Sequence, residues 1–91
     1  MKTALISNPI KDVGFACAAK VAEYLLAKNA EVFSDKDGIF PGVKTLPLAE
    51  CVKNVDVVIT VGGDGTILHT ASVSAKAGVP LVGINLGKVG Y

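Results

Sequence analysis

The residues best suited to chemistry lie in one run, Gly62-Gly63-Asp64-Gly65-Thr66, with the chain's single histidine, His69, five residues beyond the acid. A carboxylate set among glycines can accept the proton of an attacking hydroxyl, orient that hydroxyl, or help to hold Mg²⁺. Gly63, Gly65 and Thr66 can offer backbone N–H groups to a phosphate, because glycine lets a ligand approach the main chain and a helix start carries unpaired donors. The Thr66 hydroxyl can donate to a phosphate oxygen or cap the helix. A plainer reading stays open: any α/β chain needs strand-to-helix turns, and Asp64 or Thr66 can serve simply as an N-cap.

Two familiar phosphate loops are excluded by spacing. In Gly63-Asp64-Gly65-Thr66-Ile67-Leu68 a leucine stands where the dinucleotide fingerprint needs its third glycine. The later stretch Gly83-Ile84-Asn85-Leu86-Gly87-Lys88-Val89 is one residue short of a P-loop and lacks its Ser/Thr. Lys88 reads as a solvated loop lysine.

The elements that must position these groups follow from periodicity. Asp56 to Val61 is a β-branched apolar strand, and the spacing predicts a helix from about Thr66 to Ala77, stopped at Gly78. Val79-Pro80 then forces an extended exit into a strand at 81–85. Upstream, a strand at 3–7 ends at Asn8-Pro9, and an amphipathic helix capped by Asp12 runs from Val13 to about Lys28. Phe15 and Tyr24 read as core or core-edge residues of that helix. A strand at 31–34 leads into a loop with Pro41, Gly42 and Pro47, then a short helix from Leu48 to Asn54. Asp35 and Asp37 read as turn formers, not as a metal pair, and no residue is assigned to a metal. Strands alternating with helices imply an open, mostly parallel α/β sheet with helices on both faces and right-handed crossovers. Ligands bind such sheets at the carboxyl ends of the strands, where Asn8-Pro9, residues 62–66 and residues 85–90 would gather.

Composition narrows the partners. Ninety-one residues allow one domain, and 51% hydrophobic with 5% aromatic content describes a Val/Ile/Leu/Ala core of the kind found in doubly covered parallel sheets. A net charge of +1 with scattered lysines argues against nucleic acid. No apolar run reaches the roughly 18 residues of a membrane span and no signal-peptide core precedes Ser7-Asn8-Pro9, so a cytoplasmic protein with no membrane partner is expected. Cys17 and Cys51 have no paired ligand spacing and read as reduced structural thiols. A mean hydropathy of +0.52 points to apolar surface that meets a partner chain or a part of the protein outside this chain.

The Gly62-to-Thr66 run resembles the Gly-Gly-Asp-Gly-Thr kinases: NAD kinases, diacylglycerol and sphingosine kinases and, more distantly, phosphofructokinases. Within that group the stretch Pro80-Leu81-Val82-Gly83-Ile84-Asn85-Leu86-Gly87-Lys88-Val89-Gly90-Tyr91 is similar to the strand and Gly-x-x-Gly-aromatic loop of the NAD kinases, and a lipid-kinase loop is missing. The resemblance implies that residues 1–91 are the Rossmann-like N-terminal domain of such an enzyme, with a β-rich C-terminal domain outside this chain. It implies phosphoryl transfer from ATP, carrying Mg²⁺ or another divalent metal, to the adenosine-ribose 2′-hydroxyl of NAD, giving NADP. In that family the acid matching Asp64 is assigned to the 2′-hydroxyl, a residue at the position of His69 touches the dinucleotide, and an aromatic matching Tyr91 lines the adenine pocket. A homo-oligomer, dimer or tetramer, is implied too, and the isolated chain is expected to be inactive. A non-catalytic nucleotide-binding module, or a kinase of the same motif group acting on a lipid or sugar, remains the alternative.

Overall fold

A computed structural model describes residues 1–86 of the chain. Five strands form one sheet in the order β3-β2-β1-β4-β5, every neighbouring pair parallel: β1 is Lys2–Ser7, β2 Glu31–Ser34, β3 Lys44–Thr45, β4 Val57–Gly62 and β5 Leu81–Asn85. The helices are α1 (Ala16–Ala27), α2 (Leu48–Cys51) and α3 (Asp64–Ala77). This is the α/β architecture expected from the alternation of elements.

Strand β1 lies at the centre, paired with β2 on one side and with β4 over Thr3–Ser7 on the other. Its residues alternate between two cores, as a strand covered on both faces requires. Leu5 joins Val32, Val61, Ala18 and Ala22 beneath α1, while Ala4 and Ile6 join Val58, Cys51 and Val52 beneath α2 and α3. Helices therefore cover both faces, α1 on one and α2 with α3 on the other.

Helix α3 approaches the sheet closely because its inner residues are small and polar. Thr70 and Ser74 are buried, and the Thr70 hydroxyl donates to the Thr66 carbonyl at 2.8 Å while the buried Thr60 hydroxyl donates to it at 3.3 Å. On the strand side, a Cβ on Gly62 would lie 3.0 Å from Thr66 Cβ, and one on Gly83 would lie 3.3 Å from Ile67 Cγ2. The helix stops at Gly78, whose φ of 71° is left-handed and so favours glycine.

Four expectations are corrected. Helix α1 begins at Ala16, because Gly14 and Phe15 hold left-handed backbone (φ 64° and 55°) that breaks the run from Val13 into a 3-10 turn. Asp12 nevertheless caps it: Cys17 N–H donates to its Oδ1 at 2.7 Å, and Ala18 N–H and the Ser7 hydroxyl donate to its Oδ2 at 2.9 Å each. Tyr24 is 63% exposed, with the Lys28 ammonium 5.5 Å from its ring centroid, so it is not a core residue. Part of the 35–47 loop is strand β3, two exposed residues that continue the sheet past β2. The short helix α2 ends at Cys51, ahead of Asn54.

Candidate nucleotide site at the carboxyl ends of β1 and β4

The chain leaves β1 toward β2 through α1 and leaves β4 in the opposite direction toward β5 through α3. Loops that diverge from neighbouring strands open a crevice between them, which is where open α/β sheets take ligands. Here the two loops begin at Asn8 and Gly63, and Asn8 N–H donates to the Val61 carbonyl at 3.0 Å, tying one loop to the strand that feeds the other.

Helix α3 starts two residues earlier than its periodicity predicts. Gly63 is the N-cap with extended backbone (φ −90°, ψ −174°), so Asp64, Gly65 and Thr66 form the first turn. Neither Asp64 nor Thr66 is therefore the N-cap, which removes the plainer role considered for each. A carboxylate in a first turn is still favoured by the helix dipole. The amides of this turn face the same mouth as the crevice, and that of Ile67 donates to the Gly63 carbonyl at 3.1 Å.

Asp64 is exposed and turned toward β5: Asn85 Nδ2, at that strand's end, donates to its Oδ1 at 2.6 Å. Thr66 is turned the other way, its hydroxyl accepting from Asn8 Nδ2 at 2.9 Å while Asn8 Oδ1 accepts from Ile10 N–H at 2.9 Å. With its lone pair engaged, the Thr66 hydroxyl keeps its own proton to donate. A cleft of about 510 Å³ opens on this second side, lined by Asn8, Asp35, Lys36, Gly65, Thr66 and His69 among others. His69 is exposed there, one turn along α3 from Gly65 and Thr66. Asp64 does not line the cleft. The first turn of α3 thus has two flanks, with the acid on the β5 flank and the cleft on the β1–β2 flank.

The motif glycines differ in what they do. None of Gly62, Gly63 and Gly65 has a positive φ, so left-handed backbone is not the reason for them. A Cβ on Gly62 would crowd the Thr66 side chain, whereas one on Gly65 would meet none of the described residues within 4 Å. The space at Gly65 faces the cleft.

The sequence reading places Asn8 and Asn85 at the ligand edge without giving either side chain a role, and it misses Asp35, which reads as a turn former. The signal that could have found Asp35 is the position it shares with the other two, at or one residue past the carboxyl end of a strand, here β2. Asp37 does behave as a turn former, its Oδ1 accepting from Gly38 N–H at 2.9 Å. Tyr91 and Lys88 lie outside the described residues. Neither thiol lines the cleft. Burial, aided by the Asp35 carboxylate, pushes Cys51 up to about 11, and burial with the Asp12 charge raises Cys17 against the opposing effect of Lys20.

Comparison with known proteins is consistent with this geometry. The chain is 37% identical over 91 residues to an NAD kinase of Methylococcus capsulatus, covering 97% of this chain and 31% of that protein. It is 42% identical over 77 residues to an NAD kinase of Methylibium petroleiphilum, covering 80% of this chain and 26% of that protein. An NAD kinase of Methanopyrus kandleri is 44% identical over 54 residues, 59% of this chain and 18% of its own. The chain spans about a third or less of the length of these relatives. A family model described as the ATP-NAD kinase N-terminal domain matches residues 3–91, nearly the full length, and the chain belongs to that family.

Proposed function

We propose that this chain is the N-terminal part of an enzyme that transfers the γ-phosphoryl group of ATP to the 2′-hydroxyl of the adenosine ribose of NAD, giving NADP. The observation that carries the reading is the placement of Asp64: an exposed carboxylate in the first turn of α3, oriented by Asn85 and beside the N-terminal amides of the helix. Amides and acid then divide the work. The N–H groups of the first turn and the Thr66 hydroxyl bind phosphate oxygens, while the Asp64 carboxylate takes the proton of the 2′-hydroxyl. As that O–H bond breaks, the ribose oxygen forms its bond to the γ-phosphorus, and the bond to the β,γ-bridging oxygen breaks to release ADP. His69 contacts the bound nucleotide from the cleft, and Tyr91 stacks on the adenine. Mg²⁺ arrives on ATP and offsets phosphate charge; the hard oxygens of Asp64 suit such an ion.

A β-rich C-terminal domain completes the pocket, so the 91-residue chain alone binds nucleotide weakly and transfers no phosphate. The complete protein is a cytoplasmic homo-oligomer, dimer or tetramer. An apolar strip on the α1 face of β4 and β5, where Ile59 and Ile84 are half-buried and Val82 is exposed, supports association. Incubating the complete enzyme with ATP, Mg²⁺ and NAD and assaying NADP tests the reading. NADP formed in proportion to ADP supports it; ATP consumption directed to a lipid or sugar, or none at all, defeats it.

A further inference from the structure

Asp35 stands one residue past the end of β2, with its side chain 16% exposed on the wall of the cleft. Its Oδ2 meets the Lys36 ammonium at 3.1 Å, but its Oδ1 is buried and has no hydrogen-bond partner among the described residues. A buried carboxylate oxygen without a donor is costly, and folding offers no reason to keep one here. A carboxylate needs only a small rotation about its last torsion, which is soft, to turn that oxygen toward the cleft. The cleft runs from Asp35 to Thr66 and Gly65, at the phosphate-binding end of α3. A nucleotide whose phosphates sit on the α3 amides and whose nucleoside lies over β1 and β2 brings its ribose to this acid. The other flank of the helix start is already given to Asp64, which faces β5.

Resting on the kinase reading above, we propose that Asp35 accepts hydrogen bonds from the ribose hydroxyls of the phosphoryl donor, ATP. The donor nucleoside occupies the β1–β2 flank and the acceptor ribose the Asp64 flank, so the transferring phosphoryl group passes across the first turn of α3. Lys36 neutralises Asp35 beside the polyphosphate and keeps the acid from repelling it.

The test is equilibrium binding of ATP and of 2′,3′-dideoxy-ATP to the complete enzyme without NAD, for the wild type, Asp35→Ala and Asp35→Asn. A hydrogen bond to a charged acceptor is worth on the order of tenfold or more in affinity. The wild type is expected to prefer ATP by at least that ratio, Asp35→Ala to bind both nucleotides equally, and Asp35→Asn, which keeps one acceptor oxygen, to fall between them. NAD affinity should be unchanged in both variants. The proposal is overturned if the wild type shows no preference, if Asp35→Ala retains it, or if the loss falls on NAD. Should Asp35→Ala fail to fold, the isosteric Asp35→Asn decides by the same ratio. An enzyme that shows the ribose preference but makes no NADP would defeat the kinase reading and leave this assignment standing; one that makes NADP with the preference intact in Asp35→Ala would do the reverse.

Discussion

Replacing Asp12 with alanine should destabilise the fold more than any substitution in the first turn of α3, because this one carboxylate closes three hydrogen bonds. It is 3% exposed and accepts from Cys17 N–H, Ala18 N–H and the Ser7 hydroxyl at 2.7, 2.9 and 2.9 Å. Losing a side-chain cap costs about 0.5–2 kcal/mol. A buried hydroxyl left without its partner adds about 1–3 kcal/mol. A surface groove bounded by Asp12, Ala16 and Cys17 lets water reach the freed amides, which holds the sum to about 3 kcal/mol. For a domain of this size that lowers Tm by about 12–24 °C, at roughly 4–8 °C per kcal/mol. Asp12→Asn should lose about half as much, since one oxygen still accepts while its amide nitrogen faces a donor. Urea and thermal unfolding of wild type, Asp12→Ala, Asp12→Asn and Ser7→Ala provide the numbers. A loss below about 1 kcal/mol for Asp12→Ala would refute the reasoning, since it would mean that the carboxylate is not what joins the end of β1 to the start of α1.

The two motif glycines should separate stability from activity. Gly62→Ala forces a Cβ to within 3.0 Å of Thr66 Cβ and should cost about 1–3 kcal/mol in urea unfolding. Gly65→Ala meets no atom of the described residues within 4 Å and gains helix propensity, so stability should hold or rise by up to about 1 kcal/mol, while the KM for ATP rises in the complete enzyme; equal losses of stability in both variants would contradict this division. The Cys51 thiol is raised from an ordinary 9.0 to about 11, so the folded state holds its proton more tightly than the unfolded chain. Its contribution to stability is therefore complete below pH 9 and is lost as pH rises from 9 to 11. Cys51→Ala should flatten that part of the stability profile, and at pH 8 a thiol reagent should label the half-buried Cys17 well before Cys51.

What the amino-acid pattern revealed depended on whether a neighbour in sequence or a neighbour in space decided the outcome. β1, β4 and β5 announce themselves as apolar runs bounded by Asn8-Pro9, the motif glycines and Pro80; β1 and β4 bury most of both faces, and β5, more open, still carries Leu81, Val82 and Ile84. β3 is hidden because Lys44 and Thr45 are exposed at the end of the sheet and carry no apolar alternation. The start of α3 is hidden because Asp64 and Gly65 bury nothing, so hydrophobic period cannot register them as helical. Asp12 was legible as a cap, although the 3-10 turn between it and α1 was not. The ties that orient the candidate site, Asn8 to Thr66 and Asn85 to Asp64, join residues far apart in sequence and exist only once β1, β4 and β5 lie side by side. Tyr24 was misread because helical spacing alone does not tell which residue at the margin of the stripe meets the sheet.

In the proposed reaction the Asp64 carboxylate takes the 2′-hydroxyl proton, and single-turnover NADP formation by the complete enzyme carrying Asp64→Asn tests that role most directly. The substitution keeps the size of the side chain and an oxygen to accept from Asn85, but removes the base. The rate of the chemical step should fall by on the order of a hundredfold or more while Kd values for ATP and NAD hold near those of the wild type. Wild-type turnover in Asp64→Asn, or a loss traced wholly to weaker nucleotide binding, would contradict the assignment.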